Sequence, residues 1–369
     1  MTTSDAAPVL IPAGTVFSPA DITFWADRDS RSLEQAISEA DVLVSCPHSG
    51  AAIPAEISRF LAPEFTRRLQ YDFSDVATSA IVRRWAEIDP RIVYVENPHP
   101  RLIRDPNRKK PEDPAALLAE AIGRVRTAGA YQRADLTGVD AIRPVTFSFY
   151  PLLRVPTTEE ELSELTSTFE AVAEQGLGVY ERTRDELTER FIAAAYARAA
   201  AGGDARFTRL SFHDTMNTTT TREGAVNVER DPADRLPRVV ALSNRGDHAG
   251  NPRPDGPVTM NPVRLRMLAS AHREAFAVER AEDVALNQPY LGSQEIIAAG
   301  ERFARETDAA QAGVHLDAVQ AEFLREFLLG DAAVRVLHEP GTGWVTEDPE
   351  HVDAVAHACR DAWDRYRDA

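Results

Sequence analysis

Two histidines stand where a chain of this kind could hold a metal ion. The apolar, β-branched run Asp41-Val-Leu-Val-Ser-Cys46 is closed by Pro47 and delivers His48, and the alternating run Phe207-Thr-Arg-Leu-Ser-Phe212 delivers His213. Both runs read as strands, so each imidazole sits just past a strand's carboxyl end, where open α/β sheets gather their ligands. A single histidine in such a place is usually a structural hydrogen-bonder. Two at equivalent topological positions point to shared chemistry, because catalytic zinc commonly takes two histidines and a carboxylate and leaves a fourth position open. The carboxylate candidates are Asp72 and Asp75 in Tyr71-Asp-Phe-Ser-Asp75, and Asp214 beside the second histidine. Asp75 also suits the N-cap of the helical pattern that starts near residue 76.

Two further groups complete the inventory. Arg101-Leu-Ile-Arg104-Asp105-Pro-Asn107-Arg108 sets guanidinium forks and an amide in one short segment, the equipment for bidentate capture of a carboxylate. A solvated basic loop is the plainer reading, since Lys109 and Lys110 follow at once. Glu322 lies in the apolar run Ala318-Val-Gln-Ala-Glu-Phe323, on the same strand face as Gln320. A carboxylate buried there is costly unless it faces a polar cleft, a metal or a partner such as Arg325. Desolvation raises such a group's pKa, the direction a general base near neutrality needs. No nucleophile elbow, phosphate loop, dinucleotide fingerprint or His-Glu-x-x-His occurs in the sequence.

The elements that must position these residues follow from periodicity. Helical spacing covers 55–70 and 75–88, Arg91 to Val95 reads as a second strand, and helices are predicted at 114–127, across 157–200 with a break at Gly176 and Gly178, at 261–278 and at 350–368. Val239 to Leu242 and Val284 to Leu286 are further strands, and Thr218 to Thr221 reads as loop. Strand, helix and strand in succession predict an α/β fold with a mixed, mainly parallel central sheet flanked by helices. Residues 1–36 are expected to form an arm, and 37–369 a single domain whose segment 110–200 is a helical insertion or lid.

Bulk properties narrow the function classes. With 58 acidic and 41 basic side chains in 369 residues the formal charge is −17, which opposes attraction to nucleic acid or anionic lipid. Neither partner is expected. Only Cys46 and Cys359 are present, too few for a disulfide framework, and no stretch is long and apolar enough to span a membrane. A cytoplasmic location is the simplest expectation.

Taken in order, Cys46-Pro-His-Ser-Gly50 with Ile53-Pro54, Asp72, Arg101-Leu-Ile, Asp105-Pro-Asn-Arg108, Ser211-Phe-His213, Asn287-Gln-Pro-Tyr-Leu-Gly292 and Gln320-Ala-Glu-Phe-Leu-Arg325 resemble the motif series of the N-formylglutamate amidohydrolases. The resemblance spans about 40–330 and is strong only at the motifs. It implies a fold similar to that of zinc-dependent exopeptidases. It further implies that His48, Asp72 and His213 hold Zn2+ or another divalent metal, and that Glu322 is the general base activating the attacking water. Asn107 and Arg108 become anchors for the substrate carboxylate, Arg101 or Arg104 polarises the scissile carbonyl, and Tyr290 lies among the substrate contacts. The implied reaction is hydrolysis of the amide of a small N-formyl or N-acyl amino acid. The alternatives are a deacylase or carboxypeptidase-like enzyme on a larger substrate, and a binding protein that keeps the fold without turnover. Extra sequence around 110–180 falls where substrate is expected, so the metal chemistry is better supported than formylglutamate itself.

Overall fold

The computed structural model describes residues 6–203 and 205–369. Its centre is a seven-stranded sheet built from β1 (Thr23–Phe24), β2 (Val42–Cys46), β3 (Ile92–Glu96), β4 (Arg206–Thr215), β5 (Val240–Ser243), β6 (Val284–Leu286) and β7 (His315–Leu324). The spatial order is β6-β5-β7-β4-β2-β3-β1. The inner four strands, β7, β4, β2 and β3, run parallel, whereas β5 is antiparallel to β7 and β1 is antiparallel to β3. The fold is therefore mixed and mainly parallel, as the sequence predicts.

Helices cover both faces. They are α1 (Leu33–Glu39), α2 (Arg67–Asp72), α3 (Val76–Ile88), α4 (Pro114–Ala128), α5 (Glu159–Gln175), α6 (Leu177–Ala200), α7 (Pro262–Ala275), α8 (Gln294–Phe303), α9 (Arg325–His338) and α10 (Pro349–Asp368). Side chains on β2 alternate between the two faces, as the strand period of two requires. Leu43 joins the core under α1, α5, α6 and α8, while Val42, Val44 and Cys46 join the core under α3, α7, α9 and α10. The inner strands are buried on both sides, which explains why β2 and β3 read as near-continuous apolar runs.

Local chemistry accounts for the departures from expectation. The helical pattern over 55–70 resolves into a 3-10 turn at Ala55–Phe60 and the separate helix α2, with Pro63 in the gap. Thr218–Thr220, read as loop, pairs with Val226–Glu229 in a hairpin; its turn uses Gly224 at φ 80°. Helices α8 and α9 were not anticipated. Of the N-terminal segment, residues 1–5 lie outside the described residues; beyond them Leu10–Ile11 pairs with Ile53–Pro54 and β1 extends the sheet edge. Helix α6 packs directly on β2, β3 and β4, and so forms part of the layer covering the sheet.

Candidate metal centre and active site

The parallel strands β2 and β4 are hydrogen-bonded neighbours, and their carboxyl ends bring His48 and His213 together. The Nδ1 atoms of the two rings lie 3.2 Å apart. Asp75 completes the cluster: its Oδ2 is 3.1 Å from His213 Nδ1 and 3.4 Å from His48 Nδ1. All three side chains are buried, and one ligand atom from each falls within 4.8 Å of the others. The turn carrying Asp75 is tied to the first histidine by Asp75 N–H donating to the His48 carbonyl at 3.0 Å. Gly50 lets the turn after His48 pack on the Asn97–Pro98 backbone, since a Cβ there would meet the Asn97 carbonyl oxygen at 2.4 Å.

The carboxylate in the cluster differs from the one the motif suggests. Asp72 ends α2 and stands outside the cluster, where burial raises its carboxyl pKa against the pull of Arg325. Asp75 occupies the N-cap position of α3 yet makes no side-chain capping bond. Two residues, Phe73 and Ser74, separate the two along a turn, and only the fold decides which one points to the histidines. Asp214, the remaining candidate, is turned away into an ion pair with Arg325 and accepts Ala77 N–H at 3.0 Å.

Each histidine is oriented from behind. His48 Nε2 meets Asp105 Oδ1 at 2.7 Å, and the same carboxylate accepts Asn107 N–H and pairs with Arg101. His213 Nε2 meets Ser211 Oγ at 2.9 Å. With protons on both Nε2 atoms, the two Nδ1 lone pairs and the Asp75 carboxylate converge on one point. That is an arrangement of three acceptors with no donor between them, which a cation satisfies. Burial and the Arg101 cation push the His48 imidazole down, but Asp105 and Asp75 outweigh them and the net shift is upward. Burial pushes Asp75 up, and the two histidines hold it far below the usual carboxylate range. The donor set of two imidazoles and a carboxylate fits zinc and also manganese, iron or nickel.

A chamber of about 140 Å³ opens over this cluster, lined by His48, Asp75, His213, Arg101, Glu322 and Tyr290 among others. Glu322 is register partner of His213 on the adjacent strand. It accepts Thr215 Oγ1–H at 2.6 Å and Gln320 Nε2–H at 3.0 Å, while the alternative partner Arg325 is taken by Asp214. Arg101 lines the chamber, lies over the Phe147 ring at 4.8 Å, and has a buried Nε without a partner. Arg104 does not reach it: its guanidinium pairs with Glu181 at 2.6 Å and lines a separate groove. Asn107 and Arg108 both line the chamber. The amide oxygen of Asn107 is committed to Glu295 N–H at 3.0 Å, and Arg108 pairs with Asp140 at 2.7 Å.

A wider cavity adjoins the chamber. Arg108, Phe147 and Arg230 are shared with this cavity of about 970 Å³, whose other walls include Arg133, Asp135, Asp140, Arg143 and Phe149. Arg143 sits over Phe147 at 4.6 Å, and burial together with Arg101 pushes its pKa down to about 10. Arg230 donates to Tyr290 Oη at 3.0 Å and has a buried, unpartnered Nε. Asp105, Arg230 and Glu295 are site residues that sequence reasoning assigned no role. Asp105 had a signal, a carboxylate inside a basic motif, but Arg230 and Glu295 had none.

Fold and site together define an α/β protein with a histidine–aspartate–histidine cluster at the carboxyl ends of parallel strands. Residues 40–210 match the model of the N-formylglutamate amidohydrolase family, which supports the resemblance carried by the motifs; the family's name denotes an amidohydrolase. No curated protein and no solved structure gives a significant match. Among the described residues no helix is long and apolar enough to cross a membrane.

Proposed function

We propose that this chain is a metal-dependent amidohydrolase that cleaves the amide of a small N-formyl or N-acyl amino acid, with N-formylglutamate as the type substrate. The observation that carries the reading is the convergence of His48 Nδ1, His213 Nδ1 and the Asp75 carboxylate, three buried acceptors each oriented so that no proton need lie between them. These three are assigned as the ligands, with zinc the first choice. When bound, a divalent cation supplies Lewis acidity and acidifies water at neutral pH.

The remaining steps belong to side chains. Glu322 is fixed by Thr215 and Gln320 with its carboxylate lining the chamber, so it can take a proton from the attacking water and return it to the departing nitrogen. Arg101, whose Nε is unengaged, offers positive charge to the developing oxyanion. Arg108 anchors the substrate carboxylate with help from Asn107 and from the Arg230–Tyr290 pair, which holds the reacting carbonyl in place. The two free, buried cysteines accord with a reducing compartment.

A deacylase acting on a larger acyl group is the second reading. It is favoured by the outer cavity, which is far larger than a formyl group needs and shares Arg108, Phe147 and Arg230 with the inner chamber. Metal analysis of untreated protein, followed by release of formate, acetate and longer acids from a panel of N-acyl amino acids, tests both. Stoichiometric metal with formate release supports the first, and preference for long acyl groups the second. Full metal with no hydrolysis of any substrate identifies a binding protein.

A further inference from the structure

Behind His213, away from the chamber, lies a buried charge network that the reaction does not use directly. Glu295, near the N-terminus of α8, is 2 % exposed. One carboxylate oxygen, Oε2, accepts hydroxyl bonds from Ser45 at 2.7 Å and from Ser211 at 2.8 Å. The other, Oε1, accepts from Tyr180 Oη at 2.6 Å and Arg184 Nη1 at 2.7 Å. Its main-chain N–H donates to Asn107 Oδ1, so the same residue also fixes the amide beside the chamber. Burial pushes the Glu295 carboxyl up, but the charges of Arg184 and Arg209 and the hydrogen bonds from Tyr180 and Ser45 outweigh it and keep the group well below the usual carboxylate range. It is an acceptor only.

That has a consequence for His213. A serine hydroxyl has one proton. Because Glu295 accepts it from Ser211, the Ser211 oxygen can offer His213 only a lone pair. The imidazole must then carry its proton on Nε2, where it meets Ser211 Oγ at 2.9 Å, and Nδ1 is left free to face Asp75 and His48. The amide of Asn107 offers no competing acceptor on this side. Its oxygen is occupied by Glu295 N–H, and its Nδ2, a donor, is 3.4 Å from the same Nε2.

We propose that Glu295 is a positioning residue that acts through Ser211 to hold His213 in the cation-binding tautomer, a second orienting carboxylate matching the direct contact of Asp105 with His48. The inference rests on the assignment of His213 as a metal ligand. Ser45 supplies an internal control, because its hydroxyl loads the same Glu295 oxygen at nearly the same distance without touching His213.

The test is zinc affinity of the full-length protein, measured by competition with a chromophoric chelator, for wild type, Ser211→Ala, Ser45→Ala, Ser211→Thr and Glu295→Gln. The relay predicts that Ser211→Ala weakens zinc binding by about 10- to 100-fold, the usual loss for an orienting partner. Ser45→Ala should stay within about twofold, although it costs Glu295 the same kind of bond. Ser211→Thr, which keeps the hydroxyl and suits a strand, restores affinity, and Glu295→Gln follows Ser211→Ala if it folds. Equal losses in the two alanine variants would show a merely structural network and overturn the relay alone. A wild-type protein that binds no divalent cation overturns the metal assignment and this inference with it.

Discussion

The inner and outer cavities are built from different materials. The inner chamber takes its chemistry from the ends of β2, β4 and β7 and from turns pinned to them; His48, Asp75 and His213 are each buried, and both histidines are bonded from behind. The outer cavity takes its walls from connecting segments, chiefly residues 133–149 and 230–234, and its Asp and Arg side chains stand in equal numbers. Strand ends move little, so they can fix reacting atoms within a fraction of an ångström, whereas loops can change without disturbing the sheet. Under the proposed function, bond cleavage falls to the inner set and substrate choice to the outer one.

The largest effects should fall on the inner set. His48→Ala, Asp75→Ala and His213→Ala are each expected to abolish stoichiometric zinc and reduce hydrolysis to background, as read by metal analysis and a formate assay. Asp72→Asn should retain the metal, and metal lost there but kept in Asp75→Asn would reverse the ligand assignment. Next, Glu322→Gln should keep full zinc while kcat falls by about 10²- to 10⁴-fold, the ordinary worth of a general base. Unchanged kcat removes Glu322 from the mechanism.

At the boundary, Arg108→Ala should lower kcat/KM by about 10- to 100-fold, mainly through KM, since a charged hydrogen bond to substrate is worth about 1.5–3 kcal/mol. Arg104→Ala should leave both constants unchanged, because its guanidinium is held by Glu181 outside the chamber. In the outer cavity, Phe149→Ala should leave formyl hydrolysis intact and shift the ratio of long to short acyl substrates by roughly tenfold, the scale of altered apolar contact. A fall in formyl turnover as large as that of Glu322→Gln would break the division between the cavities.

The smallest effect concerns pH. Without metal, His48 has a pKa raised above its ordinary 6.5, so its interaction with Asp105 and Asp75 stabilises the fold fully below that value and is lost as pH rises through the raised one. Chelator-treated protein should therefore lose on the order of a few degrees of Tm as pH increases across this window. Zinc-loaded protein should not, because the cation replaces the proton. Parallel Tm profiles for the two forms would argue against a shared site for proton and metal.

Much of this architecture was legible in advance. The apolar run at 41–46 and the alternating run at 207–212 announced strands now seen at Val42–Cys46 and Arg206–Thr215, and Pro47 after the first marked the turn that carries His48. The Glu322 anomaly, an acid inside an apolar run, pointed to a polar cleft, and the residue does line one. Helices α8 and α9 were harder to see, since α9 begins directly where β7 ends and no turn residue separates them. The choice between Asp72 and Asp75 was not legible, because a cap and a ligand use the same residue type at the same helix end.

Residue order alone determined six of the seven strands of the central sheet, that two histidines lie near strand carboxyl ends, and that acid and arginine groups accompany them. These are local matters of side-chain period, turn chemistry and charge. Only the tertiary structure decided that β2 and β4 are neighbours, that Asp75 rather than Asp72 faces the rings, and that Arg104 points elsewhere. It also brought Glu295 behind His213 across 82 residues of chain by way of Ser211. Convergence of that kind depends on strand order and on the direction each side chain leaves its backbone, and neither is written in the spacing of residues along the chain.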